Sequence, residues 1–337
     1  MIKHSNVAIF IPHLGCPHCC SFCDQRTISG NQKPVLPQDA KAIIASAYEK
    51  ITDPIKRQNT EIAFFGGSFT AIEPVLMEEF LSVCQPYLGE NGFGGIRIST
   101  RPDAITPQIL DTLQKYGVTA IELGVQSLDD TVLAKNLRGH TAKDAIEAVK
   151  FIKGAEYKFS LGLQMMVGLY GESKESLYRT AQTILTLAPD TLRIYPTVVL
   201  KGTKLDALLQ SGEYVPMSLS DAVEFTAEWM EKFEAAGIRL IKVGLHASDD
   251  VEERMTGGIY HPAFRELCES RIYRKKIGDL LAKKAMGAYI LYLPKRDISK
   301  AAGQKRENLI YFEKAGYRIK LKGTEDDTMR LERDQIR

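Results

Sequence analysis

The 337-residue chain has no long hydrophobic run; nothing in it approaches the roughly 18 consecutive apolar residues that cross a bilayer. Its first residues, MIKHSNVAIFIPHLGCPH, carry a short apolar stretch but neither a long hydrophobic region nor a small-residue cleavage site, so no secretory leader is expected. No fixed-period repeat and no low-complexity tract is visible. Cysteine is scarce outside one eight-residue stretch, where only Cys84 and Cys268 occur, which excludes a disulfide framework. The expectation is a soluble, cytoplasmic protein. What is present is ordinary for a globular chain: 44% apolar and 26% charged residues argue against disorder, and the length suits one large α/β domain or two smaller ones.

The net charge of +2 hides an asymmetry. Between Arg271 and Lys322 fifteen Lys/Arg face four acids, a local charge of +11, so the rest of the chain carries −9. A basic module on an acidic body points to an anionic partner met at one end.

Strand-like runs at 6–11, 61–66, 96–100, 119–125, 158–167, 190–196 and 238–245 alternate with amphipathic helical stretches at 38–51, 71–88, 105–116, 141–154, 174–187 and 218–236. Strict alternation favours a parallel sheet, because each parallel connection needs a crossover. The fold expected is α/β, a partial (β/α)6-type barrel over residues 1–250, then a basic helical connector (251–287), a small α/β module (288–323) and a polar, frayed tail (324–337). In such a barrel the reactive groups belong on loops after strand C-termini. The four-cysteine loop, GGSFT, STRPD, GVQS and GLYGES all fall there.

Cys16-x-x-x-Cys20-x-x-Cys23 is the strongest motif. Three thiolates in a short loop can hold three irons of a [4Fe–4S] cluster and leave the fourth open, with Phe22 as a shield from water and Cys19 as a bystander. The same stretch can also be split as CPHC and CSFC, a zinc site, although paired knuckles normally need a longer spacer.

CPHCCSFC after a strand resembles the cluster loop of the radical S-adenosylmethionine (SAM) superfamily. More narrowly, IPHLGCPHCCSFC, FFGGSFT, STRPDAI, ELGVQSLDD with NLRGHT, and IYPTVVLKGTKL resemble the radical domain of the Elongator catalytic subunit family over residues 5–250. That resemblance implies a [4Fe–4S] cluster and SAM as cofactors, an electron donor for the cluster, and SAM cleavage to methionine and a 5′-deoxyadenosyl radical that takes a hydrogen atom from substrate. It implies that Gly66 and Gly67 let the backbone approach the methionine amino group, and that Ser99, Gln126, Arg138 and Gln164 meet the ribose or carboxylate of SAM. Ser68 stands where many members carry glutamate, so it joins this group without an acid's role. Arg138 and His140 also fit an ordinary surface loop. Tyr195 and His246 sit at strand ends where substrate is met and are the candidate proton or hydrogen donors. Glu122 needs a partner inside the barrel that the pattern does not name.

The family's acetyltransferase domain has no counterpart in the sequence as it stands, and carboxymethyl-type chemistry does not simply carry over. Residues 288–322 instead read strand, helix, Gly303-Gln304-Lys305-Arg306, helix, strand, similar to the core of a KH RNA-binding domain, with Arg306 replacing the second glycine of its GxxG loop. Gly303, Lys305 and Arg306, with Arg274, Lys275, Lys276, Lys283 and Lys284 of the preceding helix, are the candidate RNA contacts. The bland alternative is a module that caps the barrel. The leading expectation is a radical SAM enzyme modifying tRNA or rRNA, with no membrane or DNA partner. A radical enzyme on a small molecule, or a zinc-stabilised RNA-binding protein, are the alternatives.

Overall fold

The computed structural model describes residues 4–16, 19–24, 35–245 and 249–334. Seven strands, β1 (Ser5–Phe10), β2 (Thr60–Phe65), β3 (Ile96–Thr100), β4 (Val118–Gln126), β5 (Ser160–Val167), β6 (Thr191–Pro196) and, after the short β7 (Val198–Leu200), β8 (Arg239–Val243), form one sheet in the order β1-β2-β3-β4-β5-β6-β8. The sheet is parallel and curls into a half-barrel, as the alternating pattern predicts. Its convex face packs under α1 (Pro37–Lys50), α2 (Pro74–Ser82), α3 (Pro107–Lys115), α4 (Asp130–Lys135), α5 (Ala142–Ile152) and α6 (Lys174–Leu187).

Alternation sets the two faces. Ile9, Ile62, Phe64, Ile98, Leu163 and Ile194 are fully buried toward the helices, while Glu61, Phe65, Arg97, Glu122, Gln164 and Arg193 take the concave side. The helices start where caps allow. Thr141 and Asp144 form a reciprocal capping box at α5 (2.7 and 3.2 Å), and Asp129 caps α4 through the amides of Thr131 and Val132. The predicted helix 71–88 is shorter than its pattern: prolines at 74 and 86 divide it into α2 flanked by two single 3-10 turns.

The chain forms two compact units, one within residues 1–217, 233–242 and 246–259, the other within 218–232, 243–245 and 260–337. The first also holds a two-stranded antiparallel pair, β7 with β9 (Met255–Gly258), which the sequence pattern does not reveal. In the second, β10 (Gly287–Pro294) pairs in parallel with β11 (Tyr317–Thr324) over eight rungs and antiparallel with β12 (Arg330–Arg333). Four helices accompany these strands: α7 (Leu219–Ala235, mostly within this unit), α8 (Phe264–Leu281), and the pair α9 (Ile298–Ala302) and α10 (Glu307–Lys314) between β10 and β11. Ile277 and Leu281 of α8 pack with Leu291, Leu293, Phe312 and Ile319 as its core. The stretch expected to be a frayed tail contains β12, whose Leu331 packs on that core while its polar neighbours face out; backbone pairing, not side-chain hydropathy, makes it a strand.

Candidate active site

The loop after β1 and the loop after β2 interlock through glycine. The Ser68 amide donates to the Leu14 carbonyl (2.7 Å), and a Cβ on Gly67 would lie 2.3 Å from that oxygen and 2.7 Å from the Ile11 carbonyl. A Cβ on Gly15 would lie 2.2 Å from the Ser68 carbonyl. Both glycines have positive φ (+73° and +62° at 15 and 67), so no other residue fits either the space or the backbone. Ser68 itself is buried, its hydroxyl meeting Thr100 Oγ1 (3.1 Å) and accepting the Arg101 amide (3.1 Å). It ties the second loop to the end of β3.

The cysteine loop is anchored on its other side as well. Ser21 is fully buried; its amide donates to the Asn136 carbonyl (3.1 Å) and its hydroxyl to Asn136 Oδ1 (2.8 Å). Asn136 in turn donates to the carbonyls of Val132 and Tyr170 (2.8 and 2.9 Å). Phe22 packs on Val132, Met166 and Leu169 on one side and on Leu205 and Tyr214 on the other. Neither Ser21 nor Asn136 stands out in the sequence; a serine enclosed between Cys20 and Cys23 is the only signal either leaves.

Arg138 spans the site. Its Nη1 donates to Cys20 Sγ (3.0 Å) and its Nη2 to the Gly124 carbonyl (2.5 Å). Gly124 leaves room for this, since a Cβ there would meet Arg138 Nη2 at 3.4 Å and Gln126 Nε2 at 3.1 Å. Burial raises the Cys16 and Cys23 thiols, and mutual repulsion with Cys20 adds to it, while Arg138 pulls the other way. Such thiols become good ligands when a cation is present to take their charge. Among the described residues no three histidine, cysteine or acidic side chains converge on a metal-holding geometry. Cys19 is exposed and the other three are half-buried.

Among the described residues, Ser99 Oγ, Gln126 Oε1, Arg138 Nε and His140 Nδ1 are buried polar atoms without a protein partner. Gln126 follows a register shift at the end of β4 and has φ +65°, a conformation costly for a side-chain-bearing residue. His140 is buried rather than on a surface loop, its Nε2 3.3 Å from the Val125 carbonyl. Burial and then Arg138 lower its pKa to about 4, so its imidazole is neutral near pH 7.

Glu122 finds its partners across the concave face. Arg193 meets both its oxygens (2.5 and 2.7 Å), Arg97 donates to Oε1 (3.1 Å), and Gln164 Nε2 donates to Oε2 (3.1 Å). Arg97 Nε also donates to Glu61 (2.7 Å), which accepts Thr119 Oγ1 (2.9 Å). Gln164 is thus engaged by Glu122. Gly162 is needed here, because a Cβ would meet Thr191 Oγ1 at 2.8 Å and Glu122 Cγ at 3.0 Å. Tyr195 is half-buried and bonded to Arg193; burial holds its phenol protonated, raising its pKa against the pull of Arg193. His246 lies outside the described residues.

In the second unit the candidate RNA contacts divide. Arg274 turns inward, its Nε donating to Asn308 Oδ1 (2.7 Å) and its guanidinium 4.9 Å from the Tyr311 ring. Lys275 and Lys276 lie 3.8 and 3.4 Å from Glu231. Lys283, Lys284, Lys305 and Arg306 are exposed. Lys305 and Arg306 are consecutive left-handed residues (φ +47° and +63°) following Gly303 (φ +76°). Buried Asn308 pins the loop through the Ser270 and Ala301 carbonyls (2.9 and 3.2 Å).

With this geometry in hand, comparison with known proteins identifies the class. The radical SAM superfamily model matches residues 10–184 and a radical SAM C-terminal domain model matches 189–274, so the chain belongs to the radical SAM superfamily and is an enzyme of that family. The cofactors of the family are a [4Fe–4S] cluster and S-adenosylmethionine. Within it, the chain is 30% identical over 260 residues to a tRNA uridine(34) acetyltransferase of Methanocaldococcus infernus, covering 65% of this chain and 47% of that protein. It is 31% identical over 194 residues to Elongator complex protein 3 of Saccharomyces cerevisiae (50% and 33%). The chain spans about half or less of the length of these two relatives. The solved structure of the archaeal Methanocaldococcus infernus Elp3, with an N-terminal deletion, shares the fold (TM-score 0.63, 21% identity, 88% of this chain and 70% of that one).

Proposed function

We propose that this enzyme uses radical SAM chemistry to modify a nucleotide in RNA, with tRNA as the first substrate to test. The observation that carries the cofactor part is that, among the described residues, Ser99 Oγ, Gln126 Oε1 and Arg138 Nε are buried without a partner, together with the Gly15–Gly67 interlock that holds the cysteine loop. Buried polar atoms are rarely left unpaired without a ligand or water. The group supplies, when bound, reductive cleavage of SAM and hydrogen-atom abstraction from substrate.

The chain's own residues bind and orient. Cys16, Cys20 and Cys23 would hold the cluster. Gly66 and Gly67 open the backbone to the methionine amino group, Ser99 and Gln126 offer polar atoms to the ribose, and Arg138 presents donors to the carboxylate. Arg138 already touches Cys20 and so links cluster loop to cofactor. Ser68 and Gln164 are positioning residues in this scheme, through Thr100 and Glu122 respectively. Tyr195, near Met166 and Phe22, remains the candidate hydrogen donor, together with His246. The RNA part rests on the names of the relatives and on the exposed Lys305–Arg306 loop with Lys283 and Lys284 nearby in sequence.

The deciding experiment is release of 5′-deoxyadenosine by anaerobically reconstituted, reduced protein given SAM, with and without total tRNA. RNA-stimulated release is expected. Release indifferent to RNA would remove the RNA reading and favour a small substrate. One zinc per chain with no acid-labile sulfide and no release would remove the radical reading. Cys16→Ala, Cys20→Ala and Cys23→Ala should each abolish release, whereas Cys19→Ala should keep a full complement of iron and sulfide.

A further inference from the structure

The three-stranded sheet of the C-terminal unit gives one face to its core. Successive side chains along a strand point to opposite faces. Tyr289, Leu291 and Leu293 of β10 and Ile319 of β11 are buried together with Ile277 and Leu281 of α8, Ala301 of α9 and Phe312 of α10. Ala288, Ile290 and Tyr292 therefore take the other face. The register sets Arg318, Lys320 and Lys322 of β11 opposite these three, and Glu332 and Arg330 of β12 opposite Ile290 and Tyr292. All five charged residues are exposed, whereas Ala288, Ile290 and Tyr292 are half-buried.

Charge on this face is unevenly matched. On the β12 side Arg330 lies 3.4 Å from Glu332 and 3.9 Å from Asp326, and Asp334, just beyond the strand, takes Lys320 (2.8 Å). Among the described residues Arg318 and Lys322 have no carboxylate partner. Tyr292 stands between two cations, with the Arg330 guanidinium 4.6 Å and the Lys322 ammonium 5.2 Å from its ring centroid. An edge strand often carries lysine as a guard against pairing with other chains, but that role asks for no aromatic ring between two cations on the central strand. Along β11 the three cations recur at every second residue, about 6.6 Å apart. That is close to the spacing of successive phosphates on an extended single strand.

We infer that this face binds single-stranded RNA, its phosphates following Arg318, Lys320 and Lys322 along β11 and its bases turned onto Ile290 and Tyr292 of β10. Cations that track a backbone beside an aromatic on which a base can stack are the general means of holding a single strand. A duplex keeps its bases inside and cannot use Ile290 and Tyr292. The Lys305–Arg306 loop joins α9 and α10, which pack on the opposite side of the sheet, so this face is a second RNA contact and not part of the first. It rests on the RNA reading above only for the bound strand belonging to the substrate.

The test is fluorescence anisotropy of a labelled oligouridine of about 8 nucleotides, free or in a duplex. The protein is the full-length, cluster-loaded chain carrying Lys305→Gln and Arg306→Gln, which silences the loop. The single strand should bind at least ~10-fold more tightly than the duplex. Tyr292→Leu should weaken the single strand roughly tenfold, the worth of one stacked base, and Tyr292→Phe should keep its affinity. Arg318→Gln with Lys322→Gln should make the salt slope shallower by about 1.4, the share of two phosphates. Circular dichroism checks the fold of each variant, and the Arg318 and Lys322 changes, at exposed positions, test the face even where Tyr292→Leu does not fold. Equal affinity for single strand and duplex, or unchanged binding in Tyr292→Leu, would overturn the proposal. So would a concentration-dependent dimer that Tyr292→Leu dissociates, because a second copy would then occupy the face. If tRNA stimulates 5′-deoxyadenosine release while Tyr292→Leu binds RNA like its parent, the face fails and the substrate reading stands. If release ignores RNA while binding depends on Tyr292, the face stands and the substrate reading fails.

Discussion

At Gly67 a single hydrogen decides whether two loops can interlock. A methyl group there would stand 2.3 Å from the Leu14 carbonyl, and the backbone conformation is one that side-chain-bearing residues rarely adopt. Gly67→Ala should therefore cost about 2–4 kcal/mol, the sum of left-handed strain and overpacking. It should also spread the cysteine loop, so that iron content falls more than the urea midpoint alone would suggest. His140 offers a second residue-scale test. Unfolded, it takes up a proton near pH 6.5; folded, only near pH 4, because it is buried beside Arg138. Between these values the unfolded state binds more protons, so stability falls as pH falls from about 6.5 to about 4, by up to about 3 kcal/mol. Urea denaturation at pH 7 and pH 4.5 should reveal that slope, and His140→Gln should flatten it. A slope unchanged in the variant would mean that other groups carry the acid sensitivity.

At the scale of elements, the loop between α9 and α10 joins strain to charge. Arg306 occupies a left-handed position where glycine is at ease. Arg306→Gly should stabilise the C-terminal unit by about 0.5–1 kcal/mol, after subtracting the extra freedom that glycine has when unfolded. The same change should weaken tRNA binding in a filter or mobility assay. A variant that is more stable yet binds RNA as well as before would return the loop to a purely structural role. Elements of this protein were legible to different degrees for physical reasons. The seven barrel strands could be read because each buries an apolar run between helical stretches; Ile62 and Phe64, or Leu161 and Leu163, announce their face. β7 and β9 are too short to show a period, and β12 is polar because its stability comes from backbone pairing with β10. The cysteine loop and its glycines were visible as motifs. The partners of Glu122 were not, since Arg97 and Arg193 lie 25 and 71 residues away and meet it only once strand register is set. Arg274, charged and on a basic helix, looked like a surface contact; its partner Asn308 lies 34 residues away and turns it inward.

At the scale of the whole molecule, the small net charge conceals one strongly basic stretch, +11 over residues 271–322 against −9 over the rest of the chain. Part of the positive charge is spent internally: Arg271 pairs with Glu224, Lys275 and Lys276 approach Glu231, and Arg274 serves Asn308. The cations left exposed include Lys283, Lys284, Lys305 and Arg306. If these four each neutralise a phosphate, the logarithm of affinity for RNA should fall with the logarithm of salt at a slope of about −3 to −4. Raising salt from ~50 to ~200 mM then weakens binding roughly a hundredfold. Replacing Lys305 and Arg306 together by glutamine should reduce the slope by about 2. A shallow slope in the wild type would contradict a phosphate grip at this surface. An unchanged slope in the double variant would move the RNA contact to another basic face. The acidic body makes the test sharper, because its repulsion limits non-specific wrapping and leaves the salt dependence to the basic end.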